Sequence, residues 1–377
     1  MLELASLDPI KFPRVHKVLK EALGDEVAPG FVAGFWSHKE PGLYRAGAFG
    51  QRRLLPATQP MEVNTIFDFA SVTKVFATAT LAAVLVERGW VDWDTPITSI
   101  IREYPYPKIK LRHLLSHTAG LPWWKPLWQN LRESYSYPIE RVSIETRQKD
   151  MRALVYGIAP EAEPDLQTVY SDITFLLLGF ALEELTQMPL DQAVKKFLWD
   201  PMGVRSAYYQ RVFQATPSMF KSDLKNEKVA ATESCPWRGV ILQGQVHDDN
   251  CWAMGGYSGH AGAFGTIEDL MQFSSRMLRG FLSQKILQAA WSRVDQPVGC
   301  TRTLGWDTPS GPEPSAGKLF SSQSVGHLGF TGTSLWIDPR DGLAVALLSN
   351  RVHPSRENIK IRALRPKFHE ALKQDLA

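Results

Sequence analysis

Residues 72–88 constrain the fold of this chain more than any other segment. In VTKVFATATLAAVLVER almost every position is apolar or small on all sides of a helix, and Gly89 follows directly. A glycine just after the last helical residue is typical of a helix C-terminus. A helix that is apolar all round is buried between layers of structure. The sequence therefore predicts a helix in the interior of a layered fold.

Strand-like segments lie toward both ends of the chain. Residues 31–37 and 42–49 alternate and are rich in Val, Phe and Tyr, which predicts an antiparallel hairpin. Three further strand-like runs, residues 319–325, 332–337 and 344–349, lie toward the other end. Because strands stand at both ends with helices between them, we predict an α+β fold of the α/β-sandwich kind. Its antiparallel sheet is built from both termini and has flanking helices, with a mostly helical lobe inserted.

The length of 377 residues fits two domain-sized units or one large fold with an inserted lobe. We predict a discontinuous sheet domain from residues 1–88 and 255–377, and a mostly helical lobe from residues 89–254. Four further segments have helical spacing: residues 13–23, 170–186, 267–278 and 360–373.

Composition excludes several classes of protein. The 42 basic and 39 acidic residues are interspersed, with no sustained basic block, so we expect no nucleic-acid binding. The longest apolar stretches carry Thr, Glu or Gly within 18 residues, so we expect no membrane span. The N-terminus lacks a basic region followed by an apolar one, which favours a cytoplasmic location; an exported chain trimmed of its leader would look the same. Cys235, Cys251 and Cys300 show no C-x-x-C spacing, so neither a disulfide framework nor a zinc ribbon is indicated.

Ser71 and Lys74 form a candidate catalytic pair on the apolar helix. Three positions apart, they share a helix face with Cβ atoms roughly 5–6 Å apart. Ser71 falls in the first turn, where free N–H groups favour a developing alkoxide. Burial would lower the pKa of Lys74 and make its amine a general base. The alternative is an N-capping serine beside a lysine that reaches solvent, and S-x-x-K alone does not decide between them.

Further blocks accompany this pair at ordered positions. Tyr170-Ser171-Asp172 opens the second strongly apolar segment, and His327-Leu328-Gly329 precedes GFTGTSLWIDP. Together with LLSHTAGLP and the glycine-rich VHDDNCWAMGGYSGHAGAFGTIEDL, these blocks resemble the serine β-lactamase and penicillin-binding superfamily. The most similar branch contains class C β-lactamases, D-aminopeptidases and related carboxylesterases, whose motifs are S-x-x-K, Y-x-N and K-T-G or H-x-G. The resemblance implies a β-lactamase/transpeptidase-like fold.

The resemblance also implies roles for individual residues. Ser71 is the acylated nucleophile, Lys74 is its proton partner, and Tyr170 accepts the serine proton or activates the deacylating water. The backbone N–H groups of Ser71 and Phe330 form the oxyanion hole. Asp172 stands where Asn is usual: if it faces the site it raises the pKa of Lys74 and shifts the role of base toward Tyr170. Otherwise it is an ordinary acid at a helix start.

The third motif bears on the substrate. In β-lactamases and DD-peptidases the lysine and threonine of K-T-G hold the substrate carboxylate, whereas His327 is mostly neutral at pH 7 and Leu328 offers no hydrogen bond. The permanent charge for a carboxylate is missing from this motif, so we expect a neutral ester or amide substrate. Asp172, His327 and Gly329 are candidate substrate-binding residues, although His327 alternatively holds the last strands together. Trp123 and Trp124, with Trp128, line an apolar pocket or belong to the lobe core.

The leading prediction is a carboxylesterase that works through an acyl-serine intermediate on a small-molecule ester or amide, with no cofactor. The alternatives within the same chemistry are a D-amino-acid peptidase or amidase, a weak β-lactamase and an acyltransferase. A catalytically silent relative that binds peptides or scaffolds other proteins is the alternative from another class.

The cluster of His247, Asp248, Asp249 and His260 matches no standard metal-ligand spacing, so we interpret it as loop hydrogen bonding and expect no metal. His117 is interpreted as a scaffold residue. The sequence does not indicate an oligomeric state.

Overall fold

The computed structural model describes residues 2–212 and 226–377 of the chain. The strands are β1 (Glu3–Ser6), β2 (Gly30–Ser37), β3 (Leu43–Arg53), β4 (Gln59–Pro60), β5 (Phe67–Asp68), β6 (Tyr208–Tyr209), β7 (Ser234–Cys235), β8 (Val240–Ile241), β9 (Ala263–Gly265), β10 (Val325–Leu328), β11 (Ser334–Asp338) and β12 (Leu343–Ser349). The α-helices are α1 (Pro13–Gly24), α2 (Thr80–Glu87), α3 (Ile97–Ile100), α4 (Leu111–Leu115), α5 (Leu127–Ser134), α6 (Ile144–Tyr156), α7 (Asp172–Thr186), α8 (Leu190–Val194), α9 (Asp200–Met202), α10 (Asp249–Ala253), α11 (Ile267–Leu278), α12 (Gln284–Trp291) and α13 (Ile361–Leu376). Short 3-10 turns lie at Ala70–Val72, Ile139–Arg141 and Asn226–Lys228, and π-helical turns at Lys74–Ala79 and Lys195–Trp199.

The central sheet joins the two ends of the chain. Its strand order is β1-β3-β2-β12-β11-β10, with β4 paired to β3. The N-terminal and C-terminal strands meet where β2 pairs with β12 in antiparallel register, so that Gly34 lies opposite Ala346. This confirms the predicted α+β class with a sheet built from both termini. One detail of that prediction is wrong: the sheet is not wholly antiparallel, because β1 runs parallel to β3 at the edge.

The two central strands are buried on both faces. In β2, Phe31, Ala33 and Phe35 pack into one core with α1 and α13, whereas Val32 and Trp36 face a second core on the other side. Strand β12 alternates in the same way. A strand covered on both faces is apolar at nearly every position. The alternation that we interpreted over residues 31–37 therefore does not separate a buried face from an exposed one. The second core extends into the segment 89–254 that we predicted as a lobe, and the domain boundaries themselves stay a prediction.

The apolar helix lies in the interior, as its sequence predicts. It starts as a 3-10 turn at Ala70–Val72, widens into a π-helical segment at Lys74–Ala79 and continues as α2. By length and composition alone Ala70–Glu87 is able to cross a membrane, as is the bent pair Asp172–Thr186 and Leu190–Met202. Because 83% of Ala70–Glu87 is buried inside the fold, we interpret it as the core helix of the protein.

Two predicted segments differ from the structure. Residues 319–325 form turns and not a strand, apart from Val325, where β10 begins. The small polar residues explain this difference. Ser321 donates from both its N–H and its Oγ to Asp338, and its carbonyl accepts the N–H of Ser324, so the segment forms a turn. The helix predicted over residues 170–186 starts at Asp172, so that Tyr170 lies outside it, just before the extended N-cap Ser171.

Candidate active site

A strained turn presents Ser71 at the start of the core helix. Ala70 adopts φ 47°, in the left-handed region that residues with a side chain seldom occupy. Its N–H donates to the Asp68 carboxylate at 2.8 Å, and the other oxygen of that carboxylate accepts the N–H of His247 at 2.7 Å. The turn is therefore fixed by a buried acid on the preceding strand β5, and strain held this way is common at functional sites.

Lys74 is wholly buried one turn after Ser71. Its Nζ donates to Ser71 Oγ at 3.0 Å, to Asp172 Oδ1 at 2.7 Å and to the carbonyl of His260 at 3.2 Å. Burial by itself lowers the pKa of Lys74, but the Asp172 carboxylate and the Tyr170 phenol act in the other direction and prevail, so the pKa is raised. The lysine is thus held as an ammonium ion, and the alternative in which it reaches solvent is wrong.

Tyr170 reaches the site because Ser171 stops the helix behind it. Ser171 is the N-cap of α7, and its Oγ accepts the N–H of Thr174 and donates to the carbonyl of Pro122. The Tyr170 ring then lies 5.0 Å from Lys74 Nζ, measured to the ring centre. The structure therefore brings Ser71, Lys74 and Tyr170 together, as the sequence predicts; the role of each stays a prediction.

His117 holds this arrangement from the side, which agrees with its interpretation as a scaffold residue. Its ring packs on Tyr170 at 4.7 Å between centres, and its Nδ1 accepts the backbone N–H of Ser171 at 3.1 Å. Burial lowers its pKa well below the usual value, helped by the charges of Arg302 and Lys74. Its Nε2 is buried without a hydrogen-bond partner among the described residues.

The two predicted oxyanion donors are free to donate. Neither the N–H of Ser71 nor that of Phe330 is hydrogen-bonded to another protein atom in the described part of the chain. Thr331 and Thr333, in the turn that carries Phe330, donate from their hydroxyls to the carbonyls of Asp68 and Phe69. These hydrogen bonds connect that turn to the end of β5 just before Ser71. They therefore hold the N–H groups of Ser71 and Phe330 in a fixed arrangement.

Gly329 is required by packing. A Cβ atom there would lie 1.9 Å from Thr333 Oγ1 and 2.6 Å from the carbonyl oxygen of Phe69. The close approach of the two chain segments, and hence the oxyanion geometry, depends on this glycine.

A cleft of about 650 Å³ opens over these groups. It is bordered by Ser71, Tyr170, Asp172, His327 and Gly329, and by the indoles of Trp123 and Trp124. Trp123 is 64% exposed. The third tryptophan of the predicted cluster lies elsewhere, because Trp128 stacks on Trp237 with 4.4 Å between ring centres.

His327 is a buried, neutral imidazole at one side of the cleft. Burial lowers its pKa well below the usual value, and the charges of Lys74 and Arg302 lower it further. Its Nδ1–H donates to the carbonyl of Leu328 at 2.9 Å, so Nε2 carries a lone pair, and that atom has no partner within residues 2–212 and 226–377. The prediction that this histidine carries no charge agrees with its surroundings.

Positive charges enter the cleft from positions that the motifs do not mark. The Arg302 guanidinium lies 5.4 Å from the centre of the Tyr170 ring and 3.4 Å from the Asp307 carboxylate. Arg351 and Arg365 border the same cleft. These arginines are not recognisable from the sequence, because none belongs to S-x-x-K, Y-x-N or the third motif, and no local spacing distinguishes them from surface arginines.

Three ligand-type side chains converge near Lys74. The oxygen and nitrogen atoms of Asp172, Asp248 and His260 lie within 4.8 Å of one another, a donor set that suits a metal ion. However, Asp248 accepts from His260 Nε2 at 2.8 Å and from the N–H of Cys251 at 2.7 Å. The Lys74 ammonium already supplies a cation beside Asp172. We therefore assign no metal here, and the interpretation of Asp248 and His260 as hydrogen-bonding residues is confirmed.

Comparisons with known proteins identify the family of this chain. A family model described as Beta-lactamase matches residues 15–367. A protein of Salmonella gallinarum named putative D-alanyl-D-alanine carboxypeptidase is 31% identical over 322 residues, which cover 79% of this chain and 72% of that protein. Among solved structures, simvastatin synthase (LovD) from Aspergillus terreus has a TM-score of 0.71 at 17% identity, covering 96% of this chain and 98% of that one. EstCE1, described as a hydrolase with promiscuous acyltransferase activity, has a TM-score of 0.69 at 21% identity, covering 94% and 98%. The chain belongs to the beta-lactamase family of serine hydrolases.

Proposed function

We propose that this enzyme cleaves an amide or ester bond whose leaving group carries a carboxylate, such as the terminal bond of a short peptide that ends in a D-amino acid. The observation that carries the proposal is Arg302, which places a permanent positive charge beside Tyr170 in the cleft. That charge acts on His327, the residue at the position where the family's K-T-G lysine stands.

The chemistry follows from the groups around Ser71. As Ser71 Oγ attacks the substrate carbonyl carbon, its O–H bond breaks and the proton passes to Tyr170, which reacts as its phenolate beside the Lys74 ammonium. Lys74 Nζ holds the serine oxygen from 3.0 Å. The carbonyl π pair moves onto oxygen, and the resulting oxyanion accepts from the N–H groups of Ser71 and Phe330. The C–N or C–O bond then breaks, and the leaving group takes the proton from Tyr170. Water repeats the sequence on the acyl group, releasing the acid and restoring Ser71.

Arg302 suits a carboxylate because its ion pair with Asp307 leaves much of the guanidinium free. The pair is a contact of 3.4 Å between Nη1 and the Asp307 carboxylate, the guanidinium makes no hydrogen bond among the described residues, and both side chains remain 20% exposed. A guanidinium presents N–H groups in a planar fork that matches the two oxygens of a carboxylate. The relative named putative D-alanyl-D-alanine carboxypeptidase supports a substrate with such a terminal carboxylate.

The second candidate is the neutral ester predicted from the third motif. Leu328 lines the cleft without a hydrogen-bonding side chain, and Trp123 and Trp124 offer an apolar wall for an acyl group. The structural neighbour described as a hydrolase with acyltransferase activity supports this candidate and transfer of the acyl group to an acceptor other than water.

Parallel assays with three substrates separate the candidates. A short acylated peptide ending in D-Ala-D-Ala, the same peptide with its C-terminus amidated, and p-nitrophenyl butyrate are compared with wild-type enzyme and Arg302→Met. Because a hydrogen-bonded charge contributes about 1.5–3 kcal/mol, we expect Arg302→Met to lower kcat/KM for the free-acid peptide roughly tenfold to a hundredfold. The amidated peptide and the ester should change less than about twofold. An equal loss on all three substrates, or faster wild-type turnover of the ester than of the peptide, would favour the neutral-ester candidate.

A further inference from the structure

One buried arginine contacts the back of the predicted oxyanion hole. Arg365, on α13, donates from Nη2 to the carbonyl of Gly329 at 2.7 Å and to that of Thr333 at 2.8 Å. The Gly329 carbonyl and the Phe330 N–H are the two ends of the same peptide group. The guanidinium therefore binds the oxygen of the peptide whose N–H faces the cleft.

A second arginine braces the next peptide of the turn. Arg351 donates from Nε to the carbonyl of Phe330 at 2.8 Å, and its guanidinium lies 4.4 Å from the centre of the Phe330 ring. Its Nη1 donates to the carbonyls of Arg356 and Asn358, which fixes the side chain from behind. Both peptides that flank the Phe330 α-carbon are thus bound at their oxygens by cations.

Neither cation has an ion-pair partner in the part of the chain that the structure describes. Among the described residues, the hydrogen bonds of Arg365 and Arg351 all go to carbonyl oxygens and no carboxylate lies within ion-pair distance, and Arg365 is only 5% exposed. Burial, together with Arg351 and Arg362, lowers the pKa of Arg365 to about 9. A buried charge without a partner is costly, which indicates that its position is used for something other than stability.

We propose that Arg365 is a positioning residue that strengthens the Phe330 N–H as an oxyanion donor. This inference rests on the proposed function, in which that N–H receives the negative charge of the tetrahedral intermediate. A cation on the Gly329 oxygen draws electron density along the peptide and makes its N–H a better donor, as successive hydrogen bonds polarise one another. It also holds the amide in place before the reaction, so no reorganisation is needed when charge develops.

The test uses the acyl-enzyme itself. A slowly hydrolysed ester with a ¹³C-labelled carbonyl is trapped on Ser71, and the carbonyl stretch is measured by isotope-edited infrared difference spectroscopy. Oxyanion-hole hydrogen bonds polarise this carbonyl and lower its frequency. We expect the band to move to higher wavenumber in Arg365→Met and in Arg365→Gln, with Arg365→Lys in between. Lys367→Met, which removes an exposed charge from the same helix, is the control and should leave the band in place.

Kinetics give a second, independent readout. Because deletion of a whole oxyanion donor lowers kcat by about 10²–10³, weakening one donor should lower kcat about tenfold in Arg365→Met while KM changes less than about twofold. Arg365→Gln serves if the methionine variant does not fold. A carbonyl band that stays at the wild-type position in folded Arg365→Gln would overturn the inference, whatever the rate. Failure of the wild-type enzyme to form any acyl-Ser71 species would instead overturn the proposed function.

Discussion

Lys74 and Arg365 are two buried cations near the same nucleophile, and their surroundings are opposite. Lys74 lies 2.7 Å from the Asp172 carboxylate, whereas the partners of Arg365 within residues 2–212 and 226–377 are backbone carbonyls. The pKa of Lys74 is raised, because Asp172 and Tyr170 outweigh the effect of burial. The pKa of Arg365 is lowered to about 9, because burial and neighbouring arginines act together.

The difference separates two tasks within one cleft. A cation with a carboxylate partner keeps a fixed position and charge while protons move through Ser71 and Tyr170 beside it. A cation bound only to carbonyls keeps its field, which acts on the peptide carrying the Phe330 N–H. Lys74, which is paired with a carboxylate, thus lies where protons move. Arg365, which is bound by carbonyls, lies behind the predicted oxyanion hole.

The largest effect is expected from removing the paired cation. Lys74→Met should lower kcat/KM by about 10²–10⁴, because proton transfer from Ser71 to Tyr170 loses the ammonium ion that holds the serine oxygen. It should also lower the free energy of unfolding by about 3 kcal/mol, because Asp172 is left partly buried and unpaired. Urea denaturation measures the second effect. The double variant Lys74→Met/Asp172→Asn should recover most of the stability and none of the activity; a double variant as unstable as the single one would contradict the assigned pair.

Tyr170→Phe should lower turnover by about 10² or more while the fold survives, since only a hydroxyl is removed. The ring still packs on His117, so the melting temperature should stay close to that of the wild type. Near wild-type turnover would remove Tyr170 from the mechanism and leave Lys74 as the sole proton partner of Ser71.

Asp172→Asn should change the pH dependence more than the rate. Without the carboxylate, burial dominates and lowers the pKa of Lys74, so the alkaline limb of the kcat profile should move to lower pH. The rate at neutral pH should stay within about tenfold of the wild type, because asparagine is the residue usual at this position. A pH–rate profile that keeps its wild-type limb would show that Asp172 does not set the charge of Lys74.

The smallest effect concerns His327, whose pKa both cations lower, Lys74 more than Arg365. In NMR titrations its pKa should rise more in Lys74→Met than in Arg365→Met. Because the folded state keeps this histidine neutral, the unfolded chain binds more protons below about pH 6.5. His327 therefore lowers the free energy of unfolding as the pH falls through that value, and His327→Gln should flatten this slope. Equal increases in the His327 pKa in the two variants would contradict the prediction that Lys74 lowers this pKa more than Arg365 does.

The catalytic constellation could be predicted from sequence where its geometry is local. The spacing of Ser71 and Lys74 is set by one helical turn, and the polar cap at Ser171 places Tyr170 just before α7. The charge of Lys74 could not be predicted in this way, because it depends on Asp172, which is 98 positions away in the sequence. Sequence patterns alone support only the conditional prediction that Asp172 raises the pKa of Lys74 if it faces the site.

The arginines could not be predicted, because tertiary packing alone brings them to the cleft. Arg302 lies in a loop and Arg365 lies in α13, a helix that the apolar spacing predicts. Neither arginine is part of a sequence motif. The edge strand β1 was missed for a similar reason, since four mostly exposed residues show no strand pattern. The cytoplasmic location and the domain boundaries stay predictions.

The central claim is that Ser71 is the nucleophile of a working acyl-transfer site, and covalent labelling tests it most directly. Wild-type protein treated with a fluorophosphonate probe should gain the mass of one adduct, and peptide mapping should place that adduct on Ser71. The Ser71→Ala variant should gain none. A wild-type protein that stays unmodified, or an adduct that persists in Ser71→Ala, would contradict the account.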